Sequence, residues 1–395
     1  MVKVVTMVGT SIFENYFKKM QNVKTLYDNI KGKSYTFEYE DYKNQAEKIK
    51  NEILKFYKDN YKDDISAEIK SINKIKAYLK QDLQICLLAS DTINSYIASK
   101  ILEELLIEKG FDTYFNDKLD VIKDLQVEDR DRFINDGLSN LIQRIENIAI
   151  GNIIGNVVNS NYVSDLNSEG CYNNVIFNIS GGYKATIPYL TMIAQINGSN
   201  LYYIFEETEE LITIPPMPIT INMELFDEFN KEFKMLEKGI DNYNKWKQYN
   251  FSFVQKAGSC IQTIDNYALL SPLGEILWRN YKAKHANFFT TEEVLEKIKN
   301  NEILIDKVIK CINEETRHSK TEKKGVGKNK YFVYDDGNND YRIFYFEKEG
   351  DLYIYEIFDD EEKQIKYLND NTKSKKDYNP DIYCSIDKTT KKIII

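Results

Sequence analysis

The stretch that most constrains the fold runs from Asn174 to Phe205, NVIFNISGGYKATIPYLTMIAQINGSNLYYIF. Val175 to Ile179 is a short apolar, β-branched run, the pattern of a buried strand. Gly181 and Gly182 then release the backbone for a tight turn and for close approach of a ligand. From Tyr183 to Ile196, the residues Ala185, Tyr189, Met192, Ile193 and Ile196 fall near helical spacing, and Leu201 to Phe205 reads as a second strand. A glycine turn opening onto a helix leaves backbone N–H groups at the helix N-terminus, a ready anion site, and Lys184 adds positive charge there. A tight βα turn that binds nothing has the same sequence signature.

The N-terminus repeats the pattern. Val2 to Val8 predicts a strand, Gly9-Thr10-Ser11 a turn, and Ile12, Phe13, Tyr16, Phe17 and Met20 a helix. Thr10 or Ser11 is placed to cap that helix or to face a ligand. In open α/β sheets ligands bind beyond the carboxyl ends of the strands, so two such turns in one sheet point to a phosphate-rich ligand.

Between the two turns, Asn22 to Gln81 is polar, with Ala46, Ile49, Ile53, Leu54 and Tyr57 at helical spacing. Leu83 to Ala89 reads as a buried strand, followed by the capping cluster Ser90-Asp91-Thr92, a helix from Ile93 to Lys109 and Gly110 as its stop. Asp112 to Phe115 and Val121 to Val127 are short strand-like pieces, and Arg130 to Ile150 is helical. Strands alternating with helices predict a mostly parallel sheet covered on both faces, an α/β fold.

The pattern changes at Ile214-Pro215-Pro216-Met217-Pro218, a domain border or stiff linker. From Met223 to Trp278 the spacing is helical, and Leu269 to Tyr281 predicts a further short helix begun at Ser271-Pro272. Beyond His285 the expectation is a short strand at Ala286 to Phe289, two helices up to about Glu315, and a basic loop from Arg317 to Lys330, RHSKTEKKGVGKNK. Tyr331 to Tyr334, Tyr341 to Glu347 and Leu352 to Phe358 then form an antiparallel meander. The tail from Lys373 is polar and closes on Lys392 to Ile395 as an edge strand.

A chain of 395 residues has room for two or three domains, and its 29 tyrosines supply core material. The net charge of −9 argues against a chain coated in nucleic acid but leaves room for a local basic site. Five dispersed cysteines in no CxxC pair read as reduced thiols, which points to the cytoplasm. With only two histidines, a histidine-rich metal site is excluded, and no apolar run approaches the length of a membrane span. No signal peptide is expected before the first strand.

The paired turns Met7-Val8-Gly9-Thr10-Ser11 and Ile179-Ser180-Gly181-Gly182-Tyr183-Lys184-Ala185, in that order, resemble a CARF domain over about residues 1 to 215. The stretch looks like the domains of type III CRISPR-associated effectors, which Ala98-Ser99-Lys100-Ile101-Leu102 and the run Phe133 to Ile148 also fit. The resemblance implies a Rossmann-like homodimer that binds a cyclic oligoadenylate, cyclic tetra-adenylate as the first candidate, as an activator. Gly9, Thr10 and Ser11 would line one side of the ligand, and Gly181, Gly182 and Lys184 would meet its ribose and phosphate groups. Ser11 and Lys184 match the residue types with which some relatives cleave the ring.

From about His285 to Asn369, a helix pair, a basic segment and a meander resemble a RelE-type mRNA interferase, with Asp340 to Phe346 and Gly350 to Tyr355 as the core of the match. That resemblance implies metal-independent cleavage of mRNA on the ribosome by clustered Lys and Arg. A lysine of lowered pKa takes the 2′-OH proton, and arginine stabilises the phosphate. Lys328, Lys330 and Arg342 are the leading candidates, Arg317, Lys320 and Lys323 the second set; a solvated lysine-rich surface is the competing reading. Two rivals remain. Arg279 and His285, in RNYKAKH, satisfy the spacing of a HEPN ribonuclease that cuts free RNA, although His318 does not and reads as a loop residue. Met223 to Tyr281, read as a winged-helix-like module, would make the chain a ligand-responsive transcription regulator. The expected organisation is a Rossmann-like sensor at 1–217, a helical linker at 218–282 and a small α+β ribonuclease domain at 283–395.

Overall fold

The structure is a computed structural model. It describes residues 1–126, 130–151, 172–205, 209–218, 223–299, 301–325, 330–337, 340–369 and 378–395, apart from the side chains at 135 and 315. The described residues fall into two compact units, each mixed α/β. The first holds residues up to 218 together with Ser271–Ile276; the second holds 223–270 and Leu277–Ile395.

The first unit is built on strands β1 (Val2–Val8), β2 (Leu83–Ser90), β3 (Asp112–Tyr114), β4 (Val121–Ile122), β5 (Val175–Asn178), β6 (Leu201–Ile204) and β7 (Leu211–Ile214). They lie in the order β3-β2-β1-β5-β6-β7, with β4 also on β2. Every pair is parallel except the β6–β7 hairpin, which the sequence reading missed. The helices are α1 (Ser11–Phe17), α2 (Lys24–Ile30), α3 (Tyr35–Asp59), α4 (Ala67–Leu79), α5 (Ile93–Glu108), α6 (Arg130–Arg132), α7 (Leu138–Ala149) and α8 (Ile187–Ile196). Alternation along β1 explains why both sheet faces are covered. Val4 and Val8 enter a core with Phe13, Ile53, Ile72 and Ile97, while Val5 and Met7 enter another with Ile142, Ile145, Leu190 and Ile193.

The expected helix from Arg130 is not one regular helix. It starts as α6, passes through a π-helical turn at Phe133–Gly137 and continues as α7. Gly137 lies so close to the chain at Asp124 that a Cβ would stand 2.5 Å from the Asp124 carbonyl oxygen. Of the capping cluster, Thr92 caps α5 by accepting the Ser95 N–H at 3.2 Å. Asp91 instead accepts the Thr36 N–H at 2.8 Å and the Asp124 N–H at 3.0 Å, tying the start of α3 to the sheet. The expected strand to Val127 ends at Ile122, and Val127 itself lies outside the described residues.

The second unit opens with α9 (Glu224–Glu228), α10 (Asn230–Lys238), α11 (Tyr243–Tyr249) and α12 (Phe251–Ala257). The helical reading to Trp278 fails after α12. Strands β8 (Ile261–Ile264) and β9 (Tyr267–Leu270) form a hairpin, and only then does α13 (Pro272–Lys284) begin. The Ser271 Oγ accepts the Gly274 N–H at 3.1 Å, the expected start. Phe226, Phe233, Trp278 and Tyr281 stack in the core of this segment.

The rest is a second sheet of β10 (His285–Thr290), β11 (Thr321–Lys324), β12 (Tyr331–Tyr334), β13 (Arg342–Lys348), β14 (Asp351–Phe358), β15 (Ile382–Asp387) and β16 (Ile393–Ile394). It is accompanied by α14 (Glu292–Ile298), α15 (Glu302–Ile312), α16 (Glu314–Lys320) and α17 (Glu361–Asn369). The strand order is β11-β12-β13-β14-β10-β15-β16, with β10 parallel to β14 and the other neighbours antiparallel. The meander is present. The basic loop is not a loop at its start: Arg317 to Lys320 are the end of α16, and Thr321 to Lys324 are β11. Asn313 makes this possible by capping α16, its Oδ1 accepting the Thr316 N–H at 3.0 Å. Among the described residues no helix is long and apolar enough to cross a membrane.

Candidate functional site

In the first unit the chain order reverses at β1: β2 and β3 lie on one side of it, β5 and β6 on the other. The register Lys3↔Val175 to Thr6↔Asn178 brings the two glycine turns together at the carboxyl ends of β1 and β5, where such sheets hold ligands. A Cβ on Gly9 would lie 2.9 Å from the Gly182 nitrogen, and one on Gly182 would lie 2.4 Å from the Met7 Cβ. Gly182 also has a φ of +87°, a conformation that other residues rarely adopt.

The site contains a residue that the sequence reading did not pick out. Glu68, in the first turn of α4 and 1% exposed, reaches between the two turns. Its Oε1 accepts the Gly9 N–H at 2.9 Å and its Oε2 accepts the Ser11 hydroxyl at 3.2 Å. Ser11 Oγ in turn accepts the Ala67 N–H at 3.2 Å. A Cβ on Gly181 would stand 2.1 Å from Glu68 Oε1, so the carboxylate lies directly over that glycine. Beneath it, fully buried Asn178 donates to Ser71 Oγ at 2.7 Å and accepts the Ser180 N–H at 3.2 Å, which fixes the floor of the turn. Thr10 caps α1 through its backbone only, its carbonyl accepting the Phe13 N–H at 3.0 Å. Lys184 is exposed, at the start of a 3-10 turn leading into α8. The only advance signal for Glu68 is an acid behind the N-cap Ser66, common to many helices that bind nothing.

In the second unit α16 and strands β11, β12 and β13 line an open cavity of about 380 Å³, formed by His318, Thr321, Lys323, Phe332, Tyr345, Phe346 and Glu347. Cross-strand register builds it, because Lys323 pairs with Phe332 and Phe332 with Tyr345 on one face. The Lys323 Nζ sits 5.5 Å from the Phe332 ring centroid, and the Phe332 and Tyr345 rings stack at 5.8 Å. The Tyr345 hydroxyl bonds Thr321 Oγ1 at 2.9 Å, and burial raises its pKa above that of a free phenol. His318, read as a loop residue, is on α16, 4.0 Å from both Glu314 and Glu347.

The basic candidates separate. Lys323 lines the cavity, and Lys320 is exposed at the end of α16. Arg317 is buried instead: it pairs with Glu347 at 2.8 Å and donates to the carbonyls of Cys311 and Ile312 at 3.1 and 2.9 Å. Arg342 pairs with Asp335 at 2.7 Å and donates to the Tyr341 carbonyl at 3.1 Å. Lys330 is exposed just before β12, and Lys328 lies outside the described residues. Arg279 is on α13, whereas His285 begins β10, buried, with its ring 3.8 Å from that of Tyr281 and Nδ1 2.7 Å from the Tyr281 carbonyl. Burial lowers the His285 pKa. A strand follows where a HEPN domain needs helix. Among the described residues no three His, Cys, Asp or Glu side chains are grouped to hold a metal ion.

Comparison with known families bears on the broad class. Residues 63–217 match the family described as CRISPR-associated protein (Cas_APE2256). The match supports a Cas protein with a role in CRISPR defence. It begins just ahead of Glu68 and includes Gly181, Gly182 and Lys184, while Gly9 to Ser11 and the cavity of the second unit lie outside it. No curated protein matches the chain.

Proposed function

We propose that this CRISPR-associated chain is a ribonuclease switched on by a cyclic oligoadenylate. In this reading the paired glycine turns of the first unit hold the activator, in a homodimer, and the second unit cuts RNA. The observation that carries it is the cavity at Lys323. A cation beside the face of Phe332, which stacks on Tyr345, suits a phosphate flanked by a nucleobase. The helix pair followed by a meander, with β10 parallel to β14, supports the RelE-like reading of this unit.

The chemistry needs no metal. The 2′-hydroxyl gives its proton to solvent as its oxygen attacks the adjacent phosphorus, the P–O5′ bond breaks, the departing O5′ takes a proton from water, and the products are a 2′,3′-cyclic phosphate and a 5′-hydroxyl. The Lys323 ammonium stabilises charge building on the phosphoryl oxygens, an effect that typically amounts to about a hundredfold in rate. The test is cleavage of mRNA on ribosomes, and of free RNA in EDTA, with and without cyclic tetra-adenylate. Activator-dependent cleavage, lowered about a hundredfold in Lys323→Ala with an unchanged melting temperature, is expected. Full activity in Lys323→Ala moves the site elsewhere, and no cleavage under any condition refutes the ribonuclease. Cleavage on ribosomes only supports the interferase class.

A second reading rests on one observation: α9 to α12 are followed by the β8–β9 hairpin, the order of a winged helix. It makes the chain a regulator, and it is supported if duplex DNA is bound and no RNA is cut.

A further inference from the structure

We infer that Glu68 is a built-in competitor for the anion position of the paired glycine turns and sets which ligands can enter there. This rests on the reading of those turns as the activator site. The carboxylate is where a ligand phosphate would be placed, on the Gly9 N–H at 2.9 Å and the Ser11 hydroxyl at 3.2 Å. It is a well-matched occupant. Because Ser11 Oγ accepts the Ala67 N–H, its own proton is directed to Glu68 Oε2, and both carboxylate oxygens act as acceptors. Two glycines make room for it: a Cβ on Gly9 would lie 3.4 Å from Glu68 Oε1, and a side chain at Gly181 would overlap that oxygen. At 1% exposure the carboxylate is closed off from solvent.

Two anions cannot share these donors. Like charges held on one set of donors repel strongly where water is excluded. An entering phosphate must therefore displace Glu68. A lone phosphate, with few other contacts, binds poorly against this competition. A larger ligand with contacts to spare displaces the carboxylate and frees the first turn of α4, because Glu68 and Ala67 are both tied to Ser11. Glu68 is thus a filter against small anions, and its release couples occupancy of the turns to movement of α4.

The experiment titrates wild type and Glu68→Gln with cyclic tetra-adenylate and with inorganic phosphate by calorimetry. A glutamine oxygen can accept from one of the two donors only, since its NH2 group donates. The variant is expected to bind both probes at least about tenfold more tightly, a modest part of the repulsion above. Hydrogen exchange on wild type gives a measurement without any variant: amides of Ala67 to Ile69 should exchange faster when cyclic tetra-adenylate is bound. If wild type binds cyclic tetra-adenylate but Glu68→Gln binds it equally or more weakly, or if those amides become more protected, the competitor role is wrong and the activator site survives. If neither protein binds cyclic tetra-adenylate, the activator reading falls and this inference with it.

Discussion

Arg317 shows how far residue type and role can diverge. As a basic residue ahead of a lysine-rich segment it reads as a catalytic candidate. Its guanidinium is spent on the carbonyls that end α15 and on Glu347, and it lies 5.8 Å from the Tyr345 ring centroid. Arg317→Ala leaves the buried Cys311 carbonyl and the half-buried Ile312 carbonyl short of a donor, so a loss of about 2 kcal/mol in unfolding free energy is expected, read as a lowered urea midpoint. An unchanged midpoint with lost RNA cleavage would return Arg317 to the chemistry. The glycines, by contrast, were legible, because a turn pressed against its neighbour needs Gly wherever it occurs. Glu68 was not legible, because its meaning comes from Gly9, 59 positions away in the chain.

At the scale of elements, strands buried on both faces announce themselves as unbroken apolar runs, and β1 spans the expected Val2–Val8. The β8–β9 hairpin was hidden because its turn, Asp265-Asn266, lacks glycine, with Asp265 itself at a φ of +54°. An ion cluster then ties α10 and α13 to the start of β14. Glu237 pairs with Lys234 and Lys282, and Asp351 with Lys234 at 2.7 Å and Lys238 at 2.6 Å. Burial disfavours the Glu237 carboxylate, but Lys282 and Lys234 outweigh it and hold its pKa down at about 2. A depressed folded pKa means stability present above the unfolded value, near 4.3, and lost as pH falls toward about 2. Glu237→Gln is expected to flatten the stability profile across that window, by about 2 kcal/mol once residual solvent screening is allowed for. A profile as steep as wild type in chemical denaturation would assign the acid sensitivity to other carboxylates.

For the whole molecule, a ligand that binds only the folded chain stabilises it by mass action, by about 2.7 kcal/mol at a hundredfold excess over Kd. Cyclic tetra-adenylate is therefore expected to raise the melting temperature of wild type, and Lys184→Ala to lose most of that rise while melting normally without ligand. An equal rise in both proteins would place the ligand away from Lys184. The arrangement of the second sheet has a further consequence, for the time during which the chain is made. Strand β10 is at the inner position between β14 and β15, and His285 pairs with Asp387, 102 residues later. At 5–20 residues per second of synthesis, the apolar segment HANFFT waits roughly 5 to 20 s before its second edge is covered. Throughout that interval a nascent chain carries an unpaired strand that other nascent chains can join, so slower translation of residues 291–387 should leave more of the protein aggregated and less of it able to act.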